Sequence, residues 1–257
     1  MLNKKLVKKR FKKSLKTYNN NAIVQKHMAE LLIQSVLASY PAMQDAEAIQ
    51  KKYNKILEIG CGTGLLTKEI KEKISFNELF LNDIIFSLPS SLEGECRLRD
   101  LNFLHGDCEK IEFPQNLDLI ISNATFQWVE DFPSLCEKIH SSLNQEGIFA
   151  FTTFEDGNFN QIKNITGKSL KYYKKSEIEN ILSKNFKILY SNSEVINLEF
   201  DSVQDVLNHL RLSGVNSLEE TNWTKGDLKN FENKYTKFVN PEGKFILTYK
   251  PLYFVCK

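Results

Sequence analysis

The sequence predicts an α/β fold: a seven-stranded, mostly parallel sheet with an antiparallel last strand, preceded by N-terminal helices and finished by a helical cover. Two observations carry that prediction. Apolar strand-like runs alternate with helix-period segments from Ile56 to Phe154. The stretch Glu58-Ile59-Gly60-Cys61-Gly62-Thr63-Gly64 then joins the first strand to a helix opening at Leu65, Leu66 and Ile70. Glycines there let the backbone turn sharply and let a ligand lie against bare peptide. Ligands of open α/β sheets bind at this carboxyl edge, beside a helix N-terminus.

The glycine spacing separates two ligands. A dinucleotide fold uses G-x-G-x-x-G beneath a pyrophosphate. Here the third glycine, Gly64, comes one residue early, and the acid Glu58 precedes the first. A carboxylate at that point suits a zwitterionic amino-acid tail and repels a pyrophosphate. The competing reading is a tight strand–helix turn with no ligand. The motif resembles motif I of the class I S-adenosylmethionine-dependent methyltransferases. That resemblance implies a Rossmann-like sheet, S-adenosylmethionine as cofactor, and cofactor contacts at Glu58, Gly60, Gly62 and Gly64.

The chain of 257 residues is 42% hydrophobic and 26% charged, enough to bury an ample core within one α/β domain with additions. Its expected organisation is a single domain over 1–257. Residues 1–40 form a helical lid or docking segment, 55–155 the cofactor-binding core, and 156–257 the substrate cover and last strands. No segment approaches the roughly 18 consecutive apolar residues of a membrane span, and the N-terminus lacks an apolar signal core. Cys61, Cys96, Cys108, Cys136 and Cys256 are scattered without a CxxC pair, which reads as reduced cytoplasmic thiols with no metal site. The net charge of +2 favours no particular partner.

In chain order, Lys4, Lys5, Lys8, Lys9, Arg10, Lys12, Lys13 and Lys16 precede the first acid, Glu30. Val7, Phe11, Leu15 and Tyr18 recur at helical spacing, so this segment reads as an amphipathic basic helix: a solvated face, or a docking or lid element for an acidic partner. A second helix spans 22–39, ahead of Pro41. Strands follow at 56–59, 78–82 (ending in Asp83), 101–105, 117–122 and 148–154, with helices to about Lys73 and from Phe132 to Leu143. Pro89, Ser90, Ser91 and Gly94 predict a short or broken helix after Asp83. Beyond the core come a helix near 176–183, one long β run over 186–200, helices over 203–212 and 225–237, and a closing strand over 244–255.

Chemistry concentrates at the strand ends. A carboxylate at Asp83 can accept both hydroxyls of a ribose, the alternative being a turn or cap; Ile84 and Ile85 can pack on an adenine face. Gly106-Asp107-Cys108 follows the third strand. In the methyltransferase family an acid at Asp107 accepts from the adenine amino group, and the next backbone N–H, at Cys108, meets the ring. Asn123, after the fourth strand, can reach the methionine tail or the acceptor. Phe126 and Trp128 are large for a loop; they read as site walls or as anchors for the next helix. The only arginines are Arg10, Arg97, Arg99 and Arg211, in a chain with 34 Lys plus Arg. An arginine amid leucines, as at Arg211, suggests a need for the planar fork that grips a carboxylate, against the plainer reading of a surface ion pair.

Ser122 to Val129, Phe151-Thr152-Thr153-Phe154, Tyr172-Tyr173, the stretch His209 to Asn216 and the N-terminal Phe11 and Tyr18 to Leu32 resemble the malonyl-acyl-carrier-protein O-methyltransferases of biotin synthesis. The resemblance covers nearly the whole chain, and departs only after Asp83, where the family carries a regular helix. It implies esterification of the free carboxylate of a malonyl thioester, with acyl carrier protein as partner and no nucleic acid or membrane. It further implies catalytic roles for Arg211 and Tyr18 and substrate contacts at Gln127, Trp128 and His209, in a monomer. A carboxylate is already nucleophilic, so alignment and exclusion of water suffice and no general base is required. Three alternatives stand beside this reading. They are methylation of a quinone precursor or other small acid, a methyltransferase-like binding protein without turnover, and modification of nucleic acid. Carbon methylation needs a base, and His27, His105, His140 and His209 sit in no convincing motif; the strand-4 edge lacks the Asn-Pro-Pro-aromatic pattern used on bases.

Overall fold

Residues 3–39, 52–85, 101–214 and 224–257 are described by the structure, a computed structural model. The expected break over Pro89, Ser90, Ser91 and Gly94, together with Arg97, Arg99, Val215 and Asn216, lies outside them.

Two helices open the chain, α1 (Lys4–Asn21) and α2 (Ile23–Ala38). Asn3 caps α1 by accepting from Leu6 N. Then come β1 (Lys52–Ile59), α3 (Leu65–Lys73), β2 (Ser75–Asp83), β3 (Leu101–His105) and β4 (Leu117–Ser122). A 3-10 turn over Phe126–Trp128 leads into α4 (Phe132–Ser142), which Asp131 caps, and β5 (Leu143–Phe154). The remainder is α5 (Asn160–Thr166), α6 (Lys175–Leu182), β6 (Ile188–Ser193), β7 (Ile196–Phe200), α7 (Val203–Leu212), α8 (Lys225–Tyr235), β8 (Phe245–Tyr249) and β9 (Pro251–Cys256).

Seven strands pair in the order β3-β2-β1-β4-β5-β9-β6, with β9 antiparallel to both neighbours and the other pairings parallel. Alternation along each strand sends residues to two faces. Leu57, Ile120, Phe149, Phe151 and Phe254 pack beneath α4 and α6, whereas Ile56, Leu119, Ala150 and Val255 pack beneath α2 and α3. Phe151 lies stacked between Phe149 of its own strand, at 4.7 Å, and Phe254 of β9, at 5.1 Å. A third cluster, built from Val24, Met28, Val206, Leu210, Phe231, Tyr235 and Tyr249, fastens the cover helices to α2.

Two expected strands are corrected. The run 186–200 is two strands, β6 and β7, and the closing strand 244–255 is also two, β8 and β9. They form one antiparallel ribbon that keeps its register across the junction: Ser193 faces Leu252 and Ile196 faces Tyr249, with two residues of each strand between. The lower half sits in the main sheet. The upper half leaves it as a separate two-stranded sheet because β5 ends at Phe154 opposite Pro251, and Pro251 has no N–H to extend a ladder. Free of the sheet, β7 and β8 pack against α7, while α8 packs on α5. Helix α5 has no counterpart in the sequence reading.

Candidate active site

The carboxyl ends of β1, β2, β3 and β4 surround a cavity of about 120 Å³, lined on the other side by α1. The glycine turn is fixed by its neighbour strand: Gly60 N and Cys61 N both donate to Asn82 O, at 2.8 and 3.0 Å. Gly60 has φ +73°, and a Cβ there would lie 2.2 Å from Thr125 Oγ1, so no side chain fits. A Cβ on Gly62 would lie 3.4 Å from the Phe11 ring of α1.

Asp83 closes β2 into the cavity. Its Oδ2 accepts from Gly62 N at 2.8 Å and its Oδ1 from Ile85 N at 2.7 Å. Burial raises the Asp83 pKa, although those two backbone donors pull the other way. Each oxygen keeps a lone pair for a further donor. Glu58, 1% exposed, accepts from Thr67 Oγ1 at 2.6 Å. Burial, reinforced by the charge of Asp83, pushes its carboxyl up to about 8.

Across the mouth, α1 is tied at several points. Lys4 Nζ donates to Asp107 Oδ2 at 2.7 Å and to Glu109. Glu109 is itself held by Glu130 N and Asp131 N, at 3.1 and 2.8 Å. Asn19 accepts from Thr63 Oγ1 at 2.6 Å, and Thr17 Oγ1 donates to Leu212 O at 3.2 Å. Helix α1 packs on the end of α7 because Gly214, φ +72°, is bare: a Cβ there would stand 2.8 Å from Ser14 Oγ.

On the β4 side, Asn123 bridges two elements. Its Nδ2 donates to Gln25 O at 2.9 Å and its Oδ1 accepts from Thr152 Oγ1 at 2.6 Å. Tyr18, 5.0 Å from the Phe11 ring, also faces the cavity; burial and then the charge of Asp83 raise its phenol well above its ordinary value, so it remains a donor.

Of the residues singled out by sequence, Tyr18, Glu58, Gly60, Gly62, Asp83, Ile84, Asp107, Cys108, Asn123 and Trp128 meet around this cavity. Gly64 is the left-handed N-cap of α3, φ +86°, just behind the turn. Gln127, His209 and Arg211 stand apart from it. Gln127 faces a second, smaller cavity. His209 is buried under the cover, its Nε2 2.6 Å from Tyr249 Oη, and burial lowers its pKa to about 4, so it is neutral. Arg211 is on the exposed face of α7 with Nη2 3.4 Å from Asn208 Oδ1. Sequence reasoning missed Thr125 and the inward turn of Lys4. The acid pair Asp107 and Glu109, in a chain whose first segment carries basic residues and no acid, was the available signal.

The lining, a glycine turn with acids and apolar side chains around it, has the chemistry that suits a nucleoside-linked amino acid. It offers Asp83 beside the glycine turn, Asp107 with Ile84 and Cys108, and a buried acid at Glu58, two residues before the first glycine. A family model described as a methyltransferase domain matches residues 57–151. The fold agrees with solved structures at low identity. The YcgJ protein of Bacillus subtilis superposes with TM-score 0.59 at 16% identity, covering 90% of this chain and 97% of its own. The methyltransferase in a Trm112 complex of Haloferax volcanii gives 0.61 at 14%, covering 97% and 96%. Fold and site together define a class I S-adenosylmethionine-dependent methyltransferase.

Relatives in sequence are more specific. The malonyl-[acyl-carrier protein] O-methyltransferase of Calditerrivibrio nitroreducens is 42% identical over 96% of this chain and 94% of its own length. That of Bacteroides thetaiotaomicron is 34% identical over 100% and 98%. The chain belongs to the malonyl-[acyl-carrier protein] O-methyltransferase family.

Proposed function

We propose that this chain transfers the methyl group of S-adenosylmethionine to the free carboxylate of malonyl-acyl carrier protein, giving the methyl ester that primes pimeloyl synthesis for biotin. Full-length similarity to relatives of that name supports it. The observation that carries it is that no histidine lines the cavity among the described residues, while Tyr18 is held protonated. A reaction on a carboxylate needs no proton removed, and these walls suit it.

The cofactor, when bound, supplies an electrophilic methyl on a sulfonium. Asp83 would accept from the ribose, Asp107 from the adenine amino group, and Asn123 and the bare glycine turn would hold the amino-acid tail. Glu58, ionised on binding, would supply negative charge near it. Trp128, Val129 and Phe11 exclude water, which strengthens every polar contact inside. Tyr18 would donate to the acceptor. Arg211 would grip the malonyl carboxylate; since it is exposed on α7, that role requires α7 to swing its end toward the mouth, and α7 is packed on the lid helix α1. The buried thiols Cys61, Cys108, Cys136 and Cys256 are unpaired, which supports a reducing cytoplasm as the place of action.

The test is transfer of labelled methyl to malonyl-, succinyl- and acetyl-carrier protein. Malonyl should be the best acceptor and acetyl, which has no free carboxylate, should take none. Equal labelling of the acetyl form would overturn the reading. Arg211→Lys keeps the charge but loses the fork, so it should fall at least tenfold in kcat/KM with cofactor affinity unchanged. Wild-type turnover by that variant would remove Arg211 from the site.

A further inference from the structure

The loop after β3 carries the two groups that meet adenine in the reading above, the Asp107 carboxylate and the Cys108 N–H. It is a single tight turn. Lys110 N and Ile111 N donate back to Asp107 O at 2.8 and 3.0 Å, and Glu109 N donates to Asp107 Oδ1 at 3.2 Å. Gly106, φ +150°, is bare, and a Cβ there would overlap Ile111 Cγ2, so the turn can fold close over the end of β3. A turn of this kind leaves its later carbonyls without partners of its own.

Lys138, half-buried on α4, supplies those partners. Its Nζ donates to Cys108 O at 2.9 Å and to Ile111 O, and it stands 4.2 Å from the centre of the buried Phe113 ring. Both acceptors are carbonyl oxygens. Asp107, Glu109 and Glu112 are near enough to act on this ammonium through their charge alone. Glu109 is turned the other way, toward Lys4 and the N–H groups of Glu130 and Asp131. The turn is thus held from two sides, and Lys138 is the side chain that holds its backbone.

We propose that Lys138 is a positioning residue for recognition of the adenine base. By gripping the Cys108 and Ile111 carbonyls it fixes the backbone of the turn, and so the direction in which the Cys108 N–H and the Asp107 carboxylate meet the edge of the ring. The inference rests on adenine lying against Asp107 and Cys108. Lys138 itself does not line the cavity, so it acts through the loop and not by contact. An ammonium suits the task because its three hydrogens serve two carbonyls and a ring face together, which a thioether of similar length cannot do.

The probes are S-adenosylhomocysteine and S-inosylhomocysteine, titrated by calorimetry into the full-length protein. The inosyl compound has a carbonyl where adenine carries its amino group and an N–H where adenine accepts, so it forgoes both contacts with the turn. Wild type should bind the adenosyl probe at least tenfold more tightly. Lys138→Met should weaken the adenosyl probe about three- to tenfold, the worth of one neutral hydrogen bond, and leave the inosyl probe nearly unchanged. Lys138→Gln, polar but one atom shorter, should shift the ratio in the same direction and serves where the apolar variant does not fold. A lysine that only braces α4 would lower Tm and weaken both probes alike. An unchanged ratio in the variants therefore overturns the proposal and leaves the adenine reading standing. Equal binding of the two probes by wild type would overturn that reading, and the proposal with it.

Discussion

Glu58 carries its proton into neutral pH because it is buried beneath the glycine turn with Asp83 nearby, which raises its carboxyl from 4.5 to about 8. The folded chain therefore binds a proton that the unfolded chain has lost, and this group's contribution to stability declines as pH rises from about 4.5 to about 8, then levels off. A cationic cofactor reverses the preference by favouring the ionised acid. Cofactor affinity should accordingly increase with pH up to about 8, and binding at pH 7 should release protons. Calorimetry in two buffers of different ionisation heat measures that release. In Glu58→Gln it should shrink sharply, leaving only what the raised Asp83 contributes. An undiminished release would mean that Glu58 is not the source. Gly60, Gly62, Asp83 and Asp107 were legible together at the strand ends that line the cavity, because strand-end glycines and acids are local signals. Arg211 and His209 show the limit of that reasoning. Sequence places both on one helix, yet the side chains point apart, one to solvent and one to Tyr249.

Helix α1 divides its lysines between two tasks. Lys4 and Lys8 line the cavity, and Lys4 is latched on Asp107 and Glu109, whereas Lys5, Lys9, Lys12, Lys13 and Lys16 are exposed. The amphipathic pattern located the helix and its inward Val7 and Phe11; which lysines turned inward depended on where the acids of the β3 loop came to lie. An acidic carrier protein would meet the exposed set. Reversing Lys5, Lys9, Lys12 and Lys13 to Glu should raise KM for malonyl-carrier protein at least several-fold at low salt. The effect should fade toward physiological salt, where charges are screened beyond about 8 Å. Cofactor affinity should not move. Lys4→Ala, in contrast, should weaken cofactor binding by loosening the lid. Identical profiles for the two variants would deny the division of labour.

At the scale of the molecule, the site is assembled from β1 to β4 and closed by a helix from the far N-terminus, which Gly214 seats against the cover. A ligand that bridges these parts binds the folded state alone. S-adenosylmethionine at 100 times its Kd should then add about 2.7 kcal/mol, a rise in Tm of roughly 5 to 10 °C for a chain of this size. Differential scanning fluorimetry reads the shift. Asp83→Ala, which removes charge-assisted hydrogen bonds worth about 1.5–3 kcal/mol each, should lose most of it. A full shift in that variant would remove Asp83 from the cofactor site.

The sequence by itself determined the fold class, the glycine turn with its flanking acids, and the bounds of β3, β4 and α7, since each is written in contiguous residues with its own periodicity, glycine or cap. Tertiary structure alone decided three things. It parted one β ribbon between two sheets at Pro251, because the neighbouring strand ends there. It turned Gln127 away from Trp128 into a second cavity, because a 3-10 turn rotates successive side chains by about 120°. It set Lys4 on two acids about a hundred residues along the chain, because only the folded sheet brings the β3 loop beneath the first turn of α1. Local residues fix what an element is; what it faces depends on contacts between segments distant in sequence, which no local pattern records.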